Sequence, residues 1–370
     1  MSLDSFHSLP KEVQEAILNG PAHAAPPGVV PNLEHPPNGN NLVLVVILIC
    51  LTFATIAAIL RGYARIFVLR NVSREDYIAC IGYVFAVACA ACGLYWIHGP
   101  GTFIHQWNVK IKDLFENLHI LLIATNFYDL SIAALKVAIL LEWARIFAPP
   151  GARGLFYKMC HILLWMNVLF YGSKILLINL ECIPHRAIWD KTIPAKCLDQ
   201  KIVYLVAAAI GVISHIFILA LPQTIIWKLK MNMKKKVGVS LIFTVGVLTT
   251  TAGIFRLVAT AQFLISSDVT YTISSVALWG LAELTLLILV YCLPAFPSVF
   301  RDTALARTLS RALYSWPRVF IRVSDIDGPG KTNSKEMNTI SPYQSSNETA
   351  ALDPLGRMSY ISTGVGYLND

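Results

Sequence analysis

The sequence predicts an all-α polytopic membrane protein: a bundle of seven transmembrane helices with its N-terminus outside the cytoplasm and its C-terminus inside. Three observations lead to this fold class. Hydrophobic residues make up 55% of the 370-residue chain and charged residues only 14%, whereas soluble domains carry about 25% charged residues. The apolar residues are gathered into seven long runs, and Lys and Arg are concentrated in alternate loops between those runs.

The length of the apolar runs identifies the spans. About 20 apolar residues cross a bilayer as an α-helix, which satisfies its own backbone hydrogen bonds in lipid. We predict one spanning helix in each run: Leu42–Leu60, Tyr77–Ile97, Leu118–Leu141, Met159–Leu180, Ile202–Trp227, Val237–Ile265 and Tyr271–Leu293. Only a few residues, 266–270, separate the last two runs. Six or eight spans are therefore the competing counts.

The basic residues set the orientation, because cytoplasmic loops of membrane proteins carry an excess of Lys and Arg. Twenty of the thirty Lys and Arg residues fall in the loops after the first, third and fifth runs and in the C-terminal tail, and seven fall on the other side. The loop after the fifth run holds five of the twenty: Lys228, Lys230, Lys234, Lys235 and Lys236. This distribution of a net charge of +8 favours a lipid bilayer, and not nucleic acid, as the partner.

The regions outside the runs define the domain organisation. Residues 1–41 are polar and Pro-rich, without the apolar core of a cleavable signal peptide, and are predicted to form an extracellular arm. Residues 42–300 form the seven-helix membrane domain. Residues 301–370 form a cytoplasmic tail that is mostly disordered. Its first part, 301–322, alternates Arg with apolar residues and either lies on the anionic inner leaflet or is a plain linker.

Charged residues inside the predicted spans are candidates for a ligand-binding site or a polar core, since a charge at the bilayer centre costs roughly 2.5–3.5 kcal/mol on insertion scales. Asp129 and Lys136 lie two turns apart on one face of the third span, so each needs a partner on another helix. Glu283 in the seventh span is the expected partner of Lys136. Lys174 and Arg256 lie toward the outer ends of their spans, where long side chains reach the interface. The structural alternative for all five is a polar clamp that fixes helix packing.

Three further residues are candidates. His215 lies within the fifth span, where a hydrogen-bonded packing role is favoured over a proton relay or metal ligand. Cys182 and Cys197 bracket a polar loop on the predicted outer side, where oxidising conditions favour a disulfide. Closing this loop stabilises the fold by roughly 3 kcal/mol. The loop then forms a fixed lid over the mouth of the bundle.

Several function classes find no support in the sequence. The seventh span contains no lysine, so the retinal Schiff base of light-absorbing rhodopsins cannot form there. The chain has no Gly-rich phosphate loop, nucleophile elbow or metal-binding motif. We therefore predict no enzymatic activity, no cofactor and no metal site. The third and seventh spans also lack the Asp/Glu-Arg-Tyr and Asn-Pro-x-x-Tyr motifs of animal G-protein-coupled receptors.

Five segments in chain order carry a family pattern: RGYARIFVLRNVSREDY (61–77), LKVAILLEWARIF (135–147), CIPHRAIWDKTIPAKC (182–197), LPQTIIWKLKMNMKKKVGVSLIFTVGV (221–247) and ALWGLAELTLLILVYCLPAFP (277–297). Together they resemble the fungal rhodopsin-domain integral membrane proteins, the seven-helix proteins related to the satratoxin-cluster membrane protein and to fungal plant-infection receptors. The matching positions are Arg61, Tyr63, Arg65, Glu75, Asp76, Lys136, Arg145, Arg256, Trp279, Glu283 and Pro294. Two positions depart from the pattern: His215 stands where the family usually has Asp, and Ala138 where a Ser often follows the helix lysine.

The resemblance implies a receptor-like sensor without retinal, in the plasma membrane. An unidentified small-molecule ligand would bind between the third, fifth and seventh spans, and the basic loop with the tail would report to cytoplasmic signalling proteins. The alternative is a transporter or an accessory membrane protein of a secondary-metabolite pathway, with Asp129, Lys136 and Glu283 lining a polar path.

Overall fold

The computed structural model describes residues 9–99, 101–147, 154–198, 200–226 and 233–297. These residues form an all-α bundle. Its α-helices are α1 (Lys11–Leu18), α2 (Asn40–Tyr63), α3 (Arg74–His98), α4 (Ile111–Phe147), α5 (Leu155–Asn179), α6 (Gln200–Ile226), α7 (Met233–Ile265) and α8 (Val269–Cys292). Two short strands, β1 (Cys182–Ile183) and β2 (Lys196–Cys197), pair antiparallel in the loop between α5 and α6.

Six of the described helices are long and apolar enough to cross a membrane: α2, α3, α5, α6, α7 and α8. The helix α4, which corresponds to the third predicted span, is not among them. It carries seven charged residues within its 37 residues. The all-α membrane bundle is therefore confirmed, whereas the count of seven spans and the orientation of the termini stay predictions.

The position of α4 explains how a helix with so many charges is accommodated. It lies inside the bundle, in contact with α3, α5, α6 and α8. Its side chains form much of the main apolar core, where Ile132, Leu135 and Ile139 are almost completely buried. Polar residues of membrane helices are tolerated where they face the interior of a bundle.

The outward faces of the other helices carry large apolar side chains. Phe53 on α2, Trp165 and Leu169 on α5 and Phe217 on α6 are all more than half exposed. In water, such continuous apolar surfaces would drive aggregation. In a bilayer they contact lipid tails, which agrees with the multi-pass membrane location of this chain.

Helix boundaries agree with the predicted runs in one important place and differ in another. The sixth and seventh spans are separate helices, since α7 ends at Ile265 and α8 begins at Val269. By contrast, α4 extends beyond the predicted Leu118–Leu141 at both ends. Hydropathy detects only the part of a helix suited to hydrocarbon, while backbone hydrogen bonding continues through the charged turns on either side.

The two ends of the bundle differ in structure. The loops after α3, α5 and α7 meet at one end, here named the disulfide end, where Cys182 and Cys197 are bonded. The N-terminal arm lies there too. Its helix α1 is followed by a bridge between Pro21 and Lys110, and the amide of Asn32 donates to Asn108 Oδ1 at 3.0 Å. The arm is therefore attached to the loop before α4.

The other end of the bundle, named the opposite end, holds the loop after α2, the C-terminal ends of α4, α6 and α8 and the N-terminal ends of α5 and α7. Of the predicted basic loop, Lys228 and Lys230 lie outside the described residues, as does the tail 301–370. The backbone of 234–236 is helical, because α7 begins at Met233 and not at the predicted Val237. These three lysines therefore belong to the first turn of α7.

Candidate functional site

A group of charged residues in the middle of the bundle forms what we name the central polar cluster: Asp129, Lys136, Lys174, His215, Arg256 and Glu283. Glu283 on α8 is its best-connected member and is fully buried. Its Oε1 lies 2.7 Å from His215 Nε2, and its Oε2 accepts from Arg256 Nε at 2.6 Å and from Tyr128 Oη at 2.8 Å. One carboxylate thus joins α4, α6, α7 and α8.

A second ion pair lies beside the first. Lys174 Nζ on α5 donates to Asp129 Oδ1 on α4 at 2.6 Å, and Asp129 is fully buried. Tyr128 lies between the two pairs: the Lys174 ammonium is 5.7 Å and the Arg256 guanidinium 5.4 Å from its ring centroid. Cation–π contacts of this kind help to hold desolvated cations in place. The cluster therefore links all five helices from α4 to α8.

Lys136 has a different environment from the other two cations. It is fully buried, and its Nζ donates to Tyr171 Oη at 3.3 Å, Gly211 O at 3.4 Å and Ser214 Oγ at 3.2 Å. All three acceptors are neutral oxygens. Lys136 is therefore solvated by dipoles and makes no direct contact with a carboxylate among the described residues.

Two expectations from the sequence are wrong at this point. Glu283 does not pair directly with Lys136, since its oxygens are bonded to His215, Arg256 and Tyr128. Nor do Lys174 and Arg256 reach the interface: they are 8% and 7% exposed and turn inward to carboxylates. A buried cation needs a partner of opposite charge, and Asp129 and Glu283 supply these partners within the bundle.

A cavity of about 150 Å³ opens beside this cluster in the half of the bundle toward the disulfide end. Lys174, Arg256 and Tyr128 are among its lining residues, and its walls come from all seven long helices. The predicted ligand position between the third, fifth and seventh spans corresponds to α4, α6 and α8. Among the described side chains of α6, Tyr204 is the one in the lining, whereas α3, α4, α7 and α8 each contribute several residues. The cavity therefore lies between these four helices and away from the middle of α6.

A second charged cluster at the opposite end was not selected as a site from the sequence. Arg61 on α2 donates to Asp76 Oδ1 at 2.8 Å, to the Tyr291 carbonyl at 2.5 Å and to Glu142. Arg65 donates to Glu142 Oε1 at 2.7 Å, and Tyr291 Oη donates to Asp76 Oδ1 at 2.8 Å. This opposite-end cluster joins α2, α3, α4 and α8.

A signal for the opposite-end cluster exists in the sequence. Arg61, Asp76 and Glu142 each stand at the same side of the predicted bilayer, within two residues of the end of an apolar run. Opposite charges at one depth on consecutive spans are expected to pair. A neighbouring pair extends the cluster: Arg145 Nη1 donates to Glu75 Oε1 at 3.0 Å and to Ser73 Oγ.

The disulfide loop covers the end of the bundle near the cavity. Cys182, Ala187 and Ile188 pack with Leu122 of α4 and Ile178 of α5 in a small apolar core. Nearby, burial raises the pKa of Glu181 to about 7, although the Lys191 ammonium opposes the shift. Burial also lowers the pKa of Lys191. The disulfide loop is thus folded against α4 and α5, and the residue that precedes it carries a carboxyl whose pKa is raised toward neutral pH.

The side chains of these clusters are suited to form ion pairs and to bind an anion. No group of three or more His, Cys, Asp and Glu side chains that could hold a metal occurs in the described part of the chain. The residues instead offer ammonium and guanidinium groups next to a cavity. Such groups are the usual partners of carboxylates and phosphates.

Comparisons with known proteins agree with the family pattern. The model of the fungal rhodopsin domain matches residues 60–302. The chain is 36% identical, over 80% of its length and 74% of the relative's, to "Fugralins biosynthesis cluster protein 2" of Gibberella zeae. It is 34% identical to a "SAT4 family membrane protein" of Emericella nidulans, over 58% of this chain and 55% of that one.

A more distant relative is named as a receptor. "Receptor GIN3" of Arthrobotrys oligospora is 23% identical over 79% of this chain and 72% of its own length. No solved structure matches the chain. Since the family model covers more than half of the sequence, the resemblance found in the sequence is confirmed, and the chain belongs to the fungal rhodopsin domain family of membrane proteins.

Proposed function

We propose that this protein is a receptor-like sensor of the plasma membrane that works without retinal and without catalysing a reaction. A small molecule enters the cavity from the disulfide end, which faces outward. Its binding changes the contacts of the central polar cluster, and the change reaches signalling proteins at the cytoplasmic, opposite end. The name of the receptor relative supports this proposal by analogy only.

The observation that carries the proposal is that α8 connects both charged clusters. Through Glu283 it is bonded to α4, α6 and α7, and through Tyr291 it is bonded to α2 and α3. The two residues are eight positions apart, which corresponds to about 12 Å along a helix. A small rotation or shift of α8 therefore alters both sets of contacts together, as helix shifts do in known switching proteins.

Proximity labelling from the cytoplasmic tail tests the sensor. A biotin ligase is fused after Asp370, and labelled neighbours are identified in the fungus for the wild type and for Glu283→Gln. We expect heterotrimeric G-protein subunits or their regulators among the wild-type neighbours, and fewer of them for Glu283→Gln. The matched control is Glu12→Gln, the same chemical change at an exposed residue of α1.

The names of relatives favour a second candidate. The relative with 36% identity is named as a biosynthesis cluster protein. An accessory or transport protein of a secondary-metabolite pathway would use the same buried charges as a polar path. Labelling of biosynthetic enzymes or transport partners, without any G-protein component, would reject the sensor and favour this second function.

A further inference from the structure

The described charged side chains that line the cavity are all cations. Among the described residues that line it, two are cations, Lys174 and Arg256, and none is a carboxylate. Their partners Asp129 and Glu283 are fully buried and lie outside the lining. The cations therefore separate the two carboxylates from the cavity.

Both cations keep donors that are not used. The side chain of Arg256 makes its hydrogen bond through Nε, and neither Nη1 nor Nη2 is bonded to another described residue. Lys174 uses one of its three ammonium protons, for Asp129. A guanidinium with free terminal nitrogens offers the paired donors that a carboxylate accepts side by side.

A third unused hydrogen-bond donor lies in the part of the cavity nearer to the disulfide end. Trp96, in the last turn of α3, lines the cavity and is only 6% exposed. Its Nε1 is buried without a hydrogen-bond partner among the described residues. A buried N–H group without a hydrogen-bond acceptor is rare in folded proteins. A ligand that supplies an acceptor removes the free-energy cost of leaving this group unpaired.

Most of the remaining cavity wall is apolar, with side chains from Val43 and Ile47 of α2, Phe263 of α7, and Ile273 and Leu278 of α8. Besides Tyr128, the lining also includes five hydroxyl-bearing residues: Thr102, Thr125, Tyr204, Thr260 and Ser274. Phe263 and Arg256 lie seven positions apart on α7, which corresponds to about 10 Å along the helix axis. A cavity of about 150 Å³ accommodates roughly one aromatic ring.

We infer that the cavity is a binding site for a small amphipathic anion, whose carboxylate reaches Arg256 and Lys174 and whose apolar body fills the space toward Trp96. This inference rests on the proposed function, because it names the class of ligand that the sensor would bind in the same cavity. A carboxylate is preferred to an amine or a neutral molecule because the lining presents donors and positive charge without a competing acidic group.

Binding to the purified full-length protein in micelles tests the charge preference. The probes are 3-phenylpropanoate and octanoate, each compared with its uncharged amide, and the readout is the dissociation constant from calorimetry. We expect the acid to bind at least tenfold more tightly than the amide of the same shape. Equal affinities, or no binding by either acid, would overturn the inference.

A pair of substitutions separates the cavity from partition into the micelle. Ala124 of α4 lines the cavity and is half-buried, whereas Ala91 is exposed on the outer side of α3. Ala124→Phe places a ring at the cavity wall and should abolish binding of the acids, while Ala91→Phe should leave it unchanged. Retained binding in Ala124→Phe would show that the probes bind elsewhere.

A third variant probes the unused indole donor without breaking any hydrogen bond of the protein. Trp96→Phe should weaken binding of the acid severalfold and leave thermal stability without ligand nearly unchanged. Two outcomes separate this inference from the proposed function. If the protein binds the acids but no signalling partner is labelled at its tail, the anion site is retained and the sensor is rejected. If signalling partners are labelled but the protein binds acid and amide equally, the sensor is retained and the anion site is rejected.

Discussion

Substitutions of the two buried lysines in this bundle are expected to affect stability to very different extents. Lys174 neutralises Asp129, whose Oδ2 is buried without a hydrogen-bond partner among the described residues. The hydrogen bonds of Lys136 within the described part of the chain go to neutral oxygens. Removing one partner of a buried ion pair leaves an uncompensated charge, whereas removing a cation without a carboxylate partner leaves none.

A comparison of two identical substitutions tests this distinction. Lys174→Met should lower the free energy of unfolding by about 3–5 kcal/mol, because the Asp129 carboxylate is left alone. Lys136→Met should change it by no more than about 1 kcal/mol, since only weak hydrogen bonds to neutral groups are lost. Both are measured by denaturant unfolding of the protein in micelles.

The double variant Asp129→Asn with Lys174→Met supplies the control. It removes both charges, so most of the lost stability should return. If Lys136→Met were as damaging as Lys174→Met, the assignment of separate environments to the two lysines would be wrong.

Among the structural elements, the disulfide loop is the one expected to respond to pH. Burial raises the pKa of Glu181 from 4.5 to about 7 in the folded protein. The folded state then holds the proton more tightly than the unfolded state. Stability is consequently greatest below pH 4.5 and falls as the pH rises toward 7, beyond which this contribution is constant.

The loop should therefore be more stable at pH 5 than at pH 8. We expect a difference on the order of 2 kcal/mol in the opening of residues 182–197, measured by hydrogen exchange. Glu181→Gln, which cannot ionise, should remove most of this pH dependence. A steep dependence that persists in Glu181→Gln would assign the titration to another group.

On the scale of the whole molecule, the arrangement in the membrane is the main prediction left to test. Six helices are apolar enough to span a membrane by composition, and α4 is enclosed by them. With seven spans, the N-terminal arm and the C-terminal tail lie on opposite sides. With six, they lie on the same side.

Glycosylation in a eukaryotic host distinguishes these arrangements, since only the lumenal or extracellular side is modified. The native acceptor sequences at Asn71 and Asn347 should stay unmodified, because the predicted topology places both in the cytoplasm. Glu34→Thr creates a new acceptor at Asn32 in the exposed arm and should add one glycan. Modification at Asn347, or none at Asn32, would contradict the predicted topology.

Particular residues show how far sequence reasoning reached into the site. Asp129, Lys136, Glu283, His215 and Arg256 were recognisable because a charge inside an apolar run is conspicuous. Their partners were not, since a pairing between helices depends on the rotation of each helix about its axis. The same limit explains the wrong pairing of Glu283 with Lys136 and the inward turn of Lys174.

By itself, the sequence determined the membrane location, the all-α class and the family, because hydropathy and local motifs are properties of consecutive residues. Only the tertiary structure decided that Glu283 binds Arg256 and His215, that Lys136 is left with neutral acceptors, and that a cavity opens beside Lys174 and Trp96. The three contacts of Glu283 and Lys136 join residues 27, 68 and 75 positions apart in the sequence. Their geometry follows from how seven helices pack, which no local pattern encodes.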